Sequence, residues 1–283
     1  MRILITGGNG QLGRALQTAF TSDKVEAFGH SDLDITNREQ VSETISRHQP
    51  DFVIHAAAWT DTAGCERDPD LATRVNGEGP AIVAEACRET GSAMLYISSN
   101  EVFDGEQETP YMEDDQPNAI NAYGRSKLGG ERHVQAVLDR SCIVRTSWLY
   151  GPGRKSFPEK ILGPARKGGP LRVVTDENAS PTFTVDLAGA IAGLVHQRPS
   201  GIFHLTNAGA CSRREWAEEV LRLAGISVQI ETATQADYGA PYRKPVYSAL
   251  ANANAARLGI SLRRWQEALA EHMHRTVAQG VPS

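Results

Sequence analysis

The N-terminal stretch decides the fold of this chain. Residues 2–16 read RILITGGNGQLGRAL, an apolar run, a Gly-x-x-Gly-x-x-Gly turn and the beginning of an amphipathic segment. In a strand–turn–helix unit, such glycines let the backbone approach a pyrophosphate, and the helix N-terminus offers unpaired N–H donors. We therefore predict a dinucleotide site rather than a ligand-free glycine turn, with contacts from Gly7, Asn9, Gly10, Gln11, Leu12 and Gly13.

The first half of the chain alternates short apolar runs with amphipathic stretches. The runs predict buried strands over residues 2–6, 25–28, 51–55, 94–98 and 142–146. Helical periodicity over residues 70–89 and 123–138 separates some of these strands. This alternation predicts an α/β fold with a doubly wound parallel sheet of the Rossmann type.

Beyond residue 150 the chain is richer in glycine and proline. A helix over 184–196 and a strand over 202–205 predict a return to the sheet, and later helices are predicted over 213–224 and 264–277. We expect residues 1–150 and 183–207 to form the dinucleotide-binding domain. Residues 151–182 and 208–283 would form a smaller, discontinuous substrate lobe.

Composition excludes several protein classes. The 283 residues are 40% hydrophobic and 22% charged, with a net charge of −5 and no basic tract. No apolar run approaches the ~18 residues of a membrane-spanning helix. The four cysteines are scattered singly, as expected of small buried side chains in a reducing compartment. We expect a cytoplasmic protein that binds neither membrane nor nucleic acid, with no metal site indicated.

A Tyr-x-x-x-Lys pair follows the fourth predicted strand. On a helix, Tyr123 and Lys127 share one face, so the ammonium group can lie beside the phenol. A neighbouring cation favours the phenolate, so we expect a lowered tyrosine pKa and proton transfer to a carbonyl oxygen. Ser99, at the carboxyl end of the same strand, is the expected hydroxyl partner of that carbonyl, with Ser98 as the rival and a cofactor contact.

The end of the second strand bears on the choice of cofactor. Residues 28–31 read Phe-Gly-His-Ser, and Glu26 lies inside the strand. No carboxylate there repels a 2′-phosphate, and the His30 side chain can hydrogen-bond one. We expect NADPH as the cofactor, with NADH as a possible substitute.

These residues together resemble the dTDP-4-dehydrorhamnose reductase family of the extended short-chain dehydrogenase/reductases. The resemblance runs in order over nearly the whole chain, through the segments 7–13, 33–36, 56–60, 102–105, 123–127, 145–151, 181–182 and 204–207. It implies hydride transfer to C4 of a dTDP-linked 4-keto-6-deoxyhexose, with Tyr123 protonating O4. It also implies cofactor contacts from Asp34, Ile35, Ala57 and Ala58, and sugar contacts from Thr60 and Trp148.

The chain departs from the family pattern next to the catalytic hydroxyl. Asn100 and Glu101 stand where the family usually has Asp-Tyr, Ala63 replaces a frequent Asp, and Lys244 replaces a common Arg. We expect Asn100 and Glu101 to contact the substrate and to alter the choice of sugar. The alternative is that this turn faces solvent and the exchange is neutral.

Two other functions fit part of the pattern. A nucleotide-sugar epimerase or dehydratase of the same superfamily would retain oxidised NAD tightly. A non-catalytic dinucleotide-binding regulatory subunit would be indicated by loss of the tyrosine or the lysine, and both are present. The sequence is compatible with a monomer or a homodimer.

Overall fold

The computed structural model describes residues 1–239 and 242–278. The strands, in chain order, are β1 (Arg2–Thr6), β2 (Lys24–Phe28), β3 (Phe52–His55), β4 (Ala93–Ser99), β5 (Ser141–Thr146), β6 (Leu149–Tyr150), β7 (Leu171–Val174), β8 (Asn178–Ala179), β9 (Thr182–Phe183), β10 (Gly201–His204), β11 (Cys211–Ser212) and β12 (Ile230–Ala233). The α-helices are α1 (Gln11–Ala19), α2 (Arg38–His48), α3 (Thr62–Arg67), α4 (Pro69–Ala72), α5 (Gly79–Thr90), α6 (Ala122–Val137), α7 (Phe157–Ala165), α8 (Thr184–His196), α9 (Arg213–Ala224), α10 (Ala253–Arg257) and α11 (Trp265–Ala278).

Six strands form one parallel sheet in the order β10-β5-β4-β3-β1-β2. The strand order reverses beside β1, which is the point where open α/β sheets bind ligands. Along β1, Ile3 and Ile5 pack on one face against α1 and α8, while Leu4 packs on the other against α2 and α5. Burial on both faces explains the continuous apolar strands. The predicted doubly wound α/β fold is confirmed.

The predicted helix over 70–89 is interrupted. Between α4 and α5 the chain forms a π-helical segment, Thr73–Glu78. Pro80 has no N–H to donate to the Asn76 carbonyl, which instead accepts a hydrogen bond from the Tyr96 hydroxyl at 3.1 Å. The side chain of Asn76 bonds both backbone groups of Trp59, at 2.8 and 2.9 Å, and so fixes the loop after β3. Helix α2 is an element that the sequence analysis did not predict.

A second hydrophobic cluster lies beyond the sheet. It is built from α7, α9 and α11 and the two-stranded parallel sheet of β7 and β12, with Trp216, Phe183 and Leu269 buried at its centre. The proposed division into 1–150 with 183–207 and 151–182 with 208–283 stays a prediction. Residues 240–241 and 279–283 of the predicted lobe lie outside the described residues.

The four cysteines are free and buried, as expected. Among the helices of residues 1–239 and 242–278, none is long and apolar enough to cross a membrane.

Candidate active site

A cleft of about 760 Å³ lies at the carboxyl ends of β1, β4 and β5 and extends toward α7 and α9. Both halves of the chain contribute to its walls. Of the residues predicted from the sequence, those lining it are Gly7, Gly10, Gln11, Leu12, Gly13, Ala58, Thr60, Ser98, Ser99, Asn100, Glu101, Tyr123, Lys127 and Trp148.

The glycine turn packs tightly enough to explain its residue types. A Cβ atom on Gly13 would lie 2.2 Å from the Gly7 carbonyl oxygen, so α1 and the turn meet only if that position is glycine. A Cβ atom on Gly10 would meet the same oxygen at 3.1 Å and would project at the N-cap of α1. Gly10 has no side chain to cap the helix, so the first-turn N–H groups face the cleft. This cradle fits the pyrophosphate of a dinucleotide.

Five of the predicted cofactor residues lie outside the cleft lining: Asn9, His30, Asp34, Ile35 and Ala57. His30 is exposed after β2, and the Asp34 carboxylate accepts hydrogen bonds from the Thr36 N–H and hydroxyl at 2.9 and 2.8 Å. The backbone and hydroxyl bonds from Thr36 lower the pKa of Asp34. Asp32, not considered from the sequence, accepts from the Gly29 N–H at 2.9 Å. Contact of the five predicted residues with the cofactor stays a prediction.

Helix α6 presents the catalytic candidates. Its N-cap, Asn121, accepts a hydrogen bond from the Gly124 N–H at 2.8 Å, and the helix then carries Tyr123 and Lys127 one turn apart on the cleft side. Ser99, at the end of β4, lines the same part of the cleft, where its hydroxyl acts on the pKa of Tyr123 and donates to the Asn100 side-chain oxygen at 3.3 Å. The structure thus brings all three predicted catalytic residues together at one point of the cleft.

The Tyr123 pKa is raised, not lowered as we had expected. Burial raises it most, and the nearby negative charge of Glu101 adds to the effect, which outweighs the opposing hydrogen bond from Ser99. Burial also lowers the pKa of Lys127 to about 7, although the carboxylate of Glu131 acts in the opposite direction. The expected effect of the cation is therefore weaker than the desolvation of both groups.

The Lys127 ammonium group is held from several sides. Its Nζ donates to the Ile97 carbonyl oxygen at 2.7 Å and lies 4.2 Å from the centre of the Tyr96 ring. His55, fully buried on β3, has its pKa lowered to about 3 by burial and by the charge of Lys127. A neutral imidazole beside Lys127 avoids a second buried cation.

A buried ion pair lies behind the lysine. Arg145 donates to both carboxylate oxygens of Glu131, at 2.9 and 2.7 Å, and Ser98 donates to the same carboxylate at 2.5 Å. The Ser98 hydroxyl is therefore engaged with Glu131, whereas the Ser99 hydroxyl bonds the Asn100 side chain and the Glu101 N–H. The sequence analysis did not assign Glu131 a function, although its spacing of four residues from Lys127 places it on the same helix face.

Aromatic rings form the far wall of the cleft. Trp148 follows β5 with a φ of 45°, a left-handed conformation that costs of order 1–3 kcal/mol in a non-glycine residue. Its ring stacks on Trp216 with centroids 5.6 Å apart, and the Arg213 guanidinium carbon lies 3.6 Å from its centre. These contacts hold the ring in place despite the disfavoured backbone conformation, with Trp148 lining the cleft.

Asn100 and Glu101 line the cleft, contrary to the alternative of a solvent-facing turn. The Asn100 amide donates to the Ser248 hydroxyl at 2.7 Å, which ties the turn after β4 to the C-terminal part of the chain. Glu101 accepts from the Asn121 amide at 2.8 Å. Burial raises the pKa of Glu101, although Lys244 and Asn121 act against that effect.

Cationic side chains surround the opening of the cleft. Lys244 was noted from the sequence only as a departure from the family pattern. Five further cations of the lining were not predicted to be site residues: Arg154, Lys155, Lys160, Arg172 and Arg213. The usable signal for residues 154–160 was that they come soon after the strand predicted over 142–146, because the strand ends of a parallel sheet carry ligand sites. For Arg172 and Arg213 the local sequence contains no comparable signal. In residues 1–239 and 242–278, no group of three or more His, Cys, Asp or Glu side chains is arranged to hold a metal ion.

Comparison with known proteins places this geometry in a family. Residues 1–278 match the family model described as the RmlD substrate binding domain. The chain is 38% identical over 280 residues to a dTDP-4-dehydrorhamnose reductase from Streptomyces griseus, covering 95% of this chain and 92% of that protein. It is 35% identical over 275 residues to a dTDP-4-keto-6-deoxy-D-glucose reductase from Streptomyces niveus, covering 95% and 96%.

A solved structure shows the same architecture. The dTDP-4-dehydrorhamnose reductase of Bacillus anthracis, in complex with NADP, superposes with a TM-score of 0.93 at 34% identity, covering 97% of this chain and 99% of that one. Since the family model spans nearly the whole chain and the relatives align along almost their full length, this protein belongs to the RmlD family, together with the dTDP-4-dehydrorhamnose reductases.

Proposed function

We propose that this enzyme reduces the 4-keto group of a dTDP-linked 6-deoxysugar, converting dTDP-4-dehydro-L-rhamnose to dTDP-L-rhamnose with NADPH. The observation that carries the proposal is the grouping of Ser99, Tyr123 and Lys127 in the same cleft as the open N-terminus of α1. This combination serves both halves of a carbonyl reduction, because it provides a proton donor next to a dinucleotide cradle.

Each catalytic residue has a defined task. The bound nicotinamide supplies the hydride. Ser99 orients the sugar carbonyl by donating a hydrogen bond to O4, and Tyr123 gives its phenolic proton to the same oxygen. Burial keeps Tyr123 protonated before the reaction, and the Lys127 ammonium group stabilises the phenolate that forms. Lys127 would also hydrogen-bond the nicotinamide ribose.

The rest of the predicted site is distributed over the two proposed units. We propose that residues 1–150 and 183–207 bind the dinucleotide, with Asn9, His30, Asp34, Ile35 and Ala57 near its adenosine half. Residues 151–182 and 208–283 would bind the sugar nucleotide, and the first unit would contribute Thr60 and Trp148 to the sugar pocket.

The charge of the cleft supports a diphosphate ligand. Among its described lining residues are seven Lys and Arg side chains and only two carboxylates, Glu101 and Glu177. Lys and Arg are the usual partners of phosphate groups, and a cleft concentrates their field. The four free, buried thiols support a reducing, cytoplasmic location. A monomer or a homodimer remains our expectation.

The test is a spectrophotometric assay. Purified protein, NADPH and dTDP-4-dehydrorhamnose generated in situ are combined, and the loss of NADPH absorbance is followed together with the formation of dTDP-rhamnose. We expect stoichiometric consumption of NADPH. Tightly retained oxidised cofactor without net consumption would instead favour an epimerase or dehydratase, and cofactor binding without any turnover would favour a regulatory subunit.

A further inference from the structure

Glu101 introduces a carboxylate at the reacting end of the cleft. It follows the catalytic Ser99 by two residues, and its backbone N–H donates to the Ser99 hydroxyl at 3.2 Å. Its carbonyl oxygen lies against Gly124, the residue after Tyr123, where an added Cβ atom would be only 2.0 Å away, and both Glu101 and Tyr123 line the cleft. One carboxylate oxygen, Oε2, accepts from Asn121, whereas Oε1 has no hydrogen-bond partner within residues 1–239 and 242–278. Glu101 therefore retains an acceptor for a ligand.

The surrounding charges indicate what that ligand group is. Glu177 forms ion pairs with Arg213 at 3.1 Å and with Lys244 at 3.5 Å, and both cations act on Glu101 as well. Two carboxylates and two cations leave this corner close to neutral. A protonated amine would find no net negative charge here, whereas a neutral hydroxyl requires only one free acceptor.

We infer that Glu101 is a specificity-determining residue that accepts a hydrogen bond from the C3 hydroxyl of the 4-keto sugar. The inference rests on the proposed function, because it assumes that Tyr123 and Ser99 hold O4. A side chain next to Tyr123 then reaches the substituents of the carbons that flank C4. In a 6-deoxyhexose, C5 carries a methyl group and the ring oxygen, so only the C3 hydroxyl can donate.

The experiment compares two forms of the Glu101 side chain on two sugars, one with and one without the C3 hydroxyl. The value of kcat/KM is measured for wild type and Glu101→Gln with dTDP-4-dehydrorhamnose and with its 3-deoxy analogue. A charge-assisted hydrogen bond is about twice as strong as a neutral one, so we expect the variant to lose about tenfold on the hydroxylated sugar. On the 3-deoxy sugar we expect the variant to match wild type. Gln retains an acceptor for Asn121, which preserves the start of α6.

The matched control is Glu66→Gln. Glu66 accepts from the Ala122 N–H at 2.8 Å, so it supports the same end of α6, but it lies outside the cleft lining. We expect this variant to behave like wild type on both sugars. An equal loss by Glu101→Gln on both sugars would overturn the inference and leave Glu101 a structural role.

A second measurement does not depend on how the variants fold. Wild type alone should prefer the hydroxylated sugar over the 3-deoxy sugar by about tenfold or more in kcat/KM, the factor for a hydrogen bond to a charged group. Equal values for the two sugars would overturn the inference while leaving the proposed reduction intact. If wild type reduces neither sugar, the proposed function is wrong, and the inference is wrong with it.

Discussion

Lys127 combines full burial with a charge that its chemistry requires. The residue is 2% exposed, and its pKa of about 7 results from burial opposed by the carboxylate of Glu131. The other titratable groups around it are His55, which is neutral, and Cys65, Tyr96 and Tyr123, whose pKa values are raised. The charge of Glu131 acts on the ammonium group from behind, and it favours the protonated form of the lysine.

This arrangement predicts a pH effect of Glu131→Gln. Without the negative charge, the Lys127 pKa falls further, so the proton is lost at a lower pH. The alkaline limb of kcat/KM for NADPH, which reports on groups of the free enzyme, should move down by about one pH unit. The measurement is the pH profile, with thermal unfolding followed in parallel because Arg145 loses its counterion.

Ser98→Ala is the control for that experiment. It removes the 2.5 Å hydrogen bond to the same carboxylate but leaves the charge in place. The alkaline limb of Ser98→Ala should stay within a few tenths of a pH unit of the wild-type position, which is much less than the ~1-unit shift expected for Glu131→Gln. An unshifted limb in Glu131→Gln would contradict the assigned role of Glu131.

Tyr123→Phe tests the proton donor. The ring and its packing remain, so the affinity for NADPH should stay close to the wild-type value. Turnover should fall by about 10²–10⁴-fold, the usual contribution of a general acid. Single-turnover kinetics and a fluorescence titration with NADPH give the two values. A kcat within about threefold of wild type would exclude Tyr123 from the proton transfer.

At the scale of elements, the turn between β1 and α1 contains two glycines with different expected roles, one in folding and one in ligand binding. Gly13 lies against the Gly7 carbonyl oxygen with no room for a side chain, whereas Gly10 lies at the open helix N-terminus. Gly13 is required for packing of the helix on the strand. Gly10, by contrast, is expected to be required for access of a ligand to the backbone N–H groups.

We therefore expect opposite phenotypes from two substitutions. Gly10→Val should fold with nearly the wild-type melting temperature and lose NADPH binding in calorimetric titration. Gly13→Val should destabilise the protein strongly, because a Cβ atom would lie 2.2 Å from a backbone oxygen. Gly193→Ala on α8 is the control, since open space surrounds that position and alanine gains about 1 kcal/mol in a helix. Tight NADPH binding by Gly10→Val would contradict the assignment of the turn.

At the scale of the whole molecule, a hydrogen-bonded pair joins distant parts of the second hydrophobic cluster. His272 on α11 and Glu159 on α7 are hydrogen-bonded at 2.7 Å across 113 positions of sequence. Burial alone would raise the pKa of Glu159, but the hydrogen bonds from His272 and Ser156 outweigh it and hold the pKa at about 2. The first turn of α7, including Phe157, lines the cleft, so this pair also supports the site.

The lowered pKa predicts acid sensitivity. A carboxylate with a depressed pKa stabilises the folded state above the unfolded value of about 4.3, and this stabilisation is lost as the pH falls toward the folded value. Wild type should exceed Glu159→Gln by about 1–3 kcal/mol in the free energy of unfolding at pH 6. At pH 2 the two proteins should be nearly equal. Urea unfolding at several pH values measures this, and a pH-independent difference would contradict it.

The residues within one strand–turn–helix unit were predictable because their signals are local. The glycine spacing, the apolar strands and the Tyr123–Lys127 spacing each fall within about one helical turn or one strand, and the structure brings them to the positions expected of them. The π-helical segment was not predictable in this way. There the Asn76 carbonyl oxygen accepts from the Tyr96 hydroxyl of β4 in place of the N–H that Pro80 lacks, and no window around Pro80 contains that hydroxyl.

The sequence by itself determined the doubly wound sheet, the dinucleotide turn and the family, because each rests on short-range periodicity or on motifs read along the chain. Only the tertiary structure decided the electrostatics of the site. Although the chain has a net charge of −5 and no basic tract, seven Lys and Arg side chains line one cleft. The charge of Glu101 raises the pKa of Tyr123, and Glu131 forms an ion pair with Arg145. These effects depend on burial and on distances between side chains far apart in sequence. For that reason the pKa of Tyr123 is raised, whereas the lysine spacing alone predicted a lowered value.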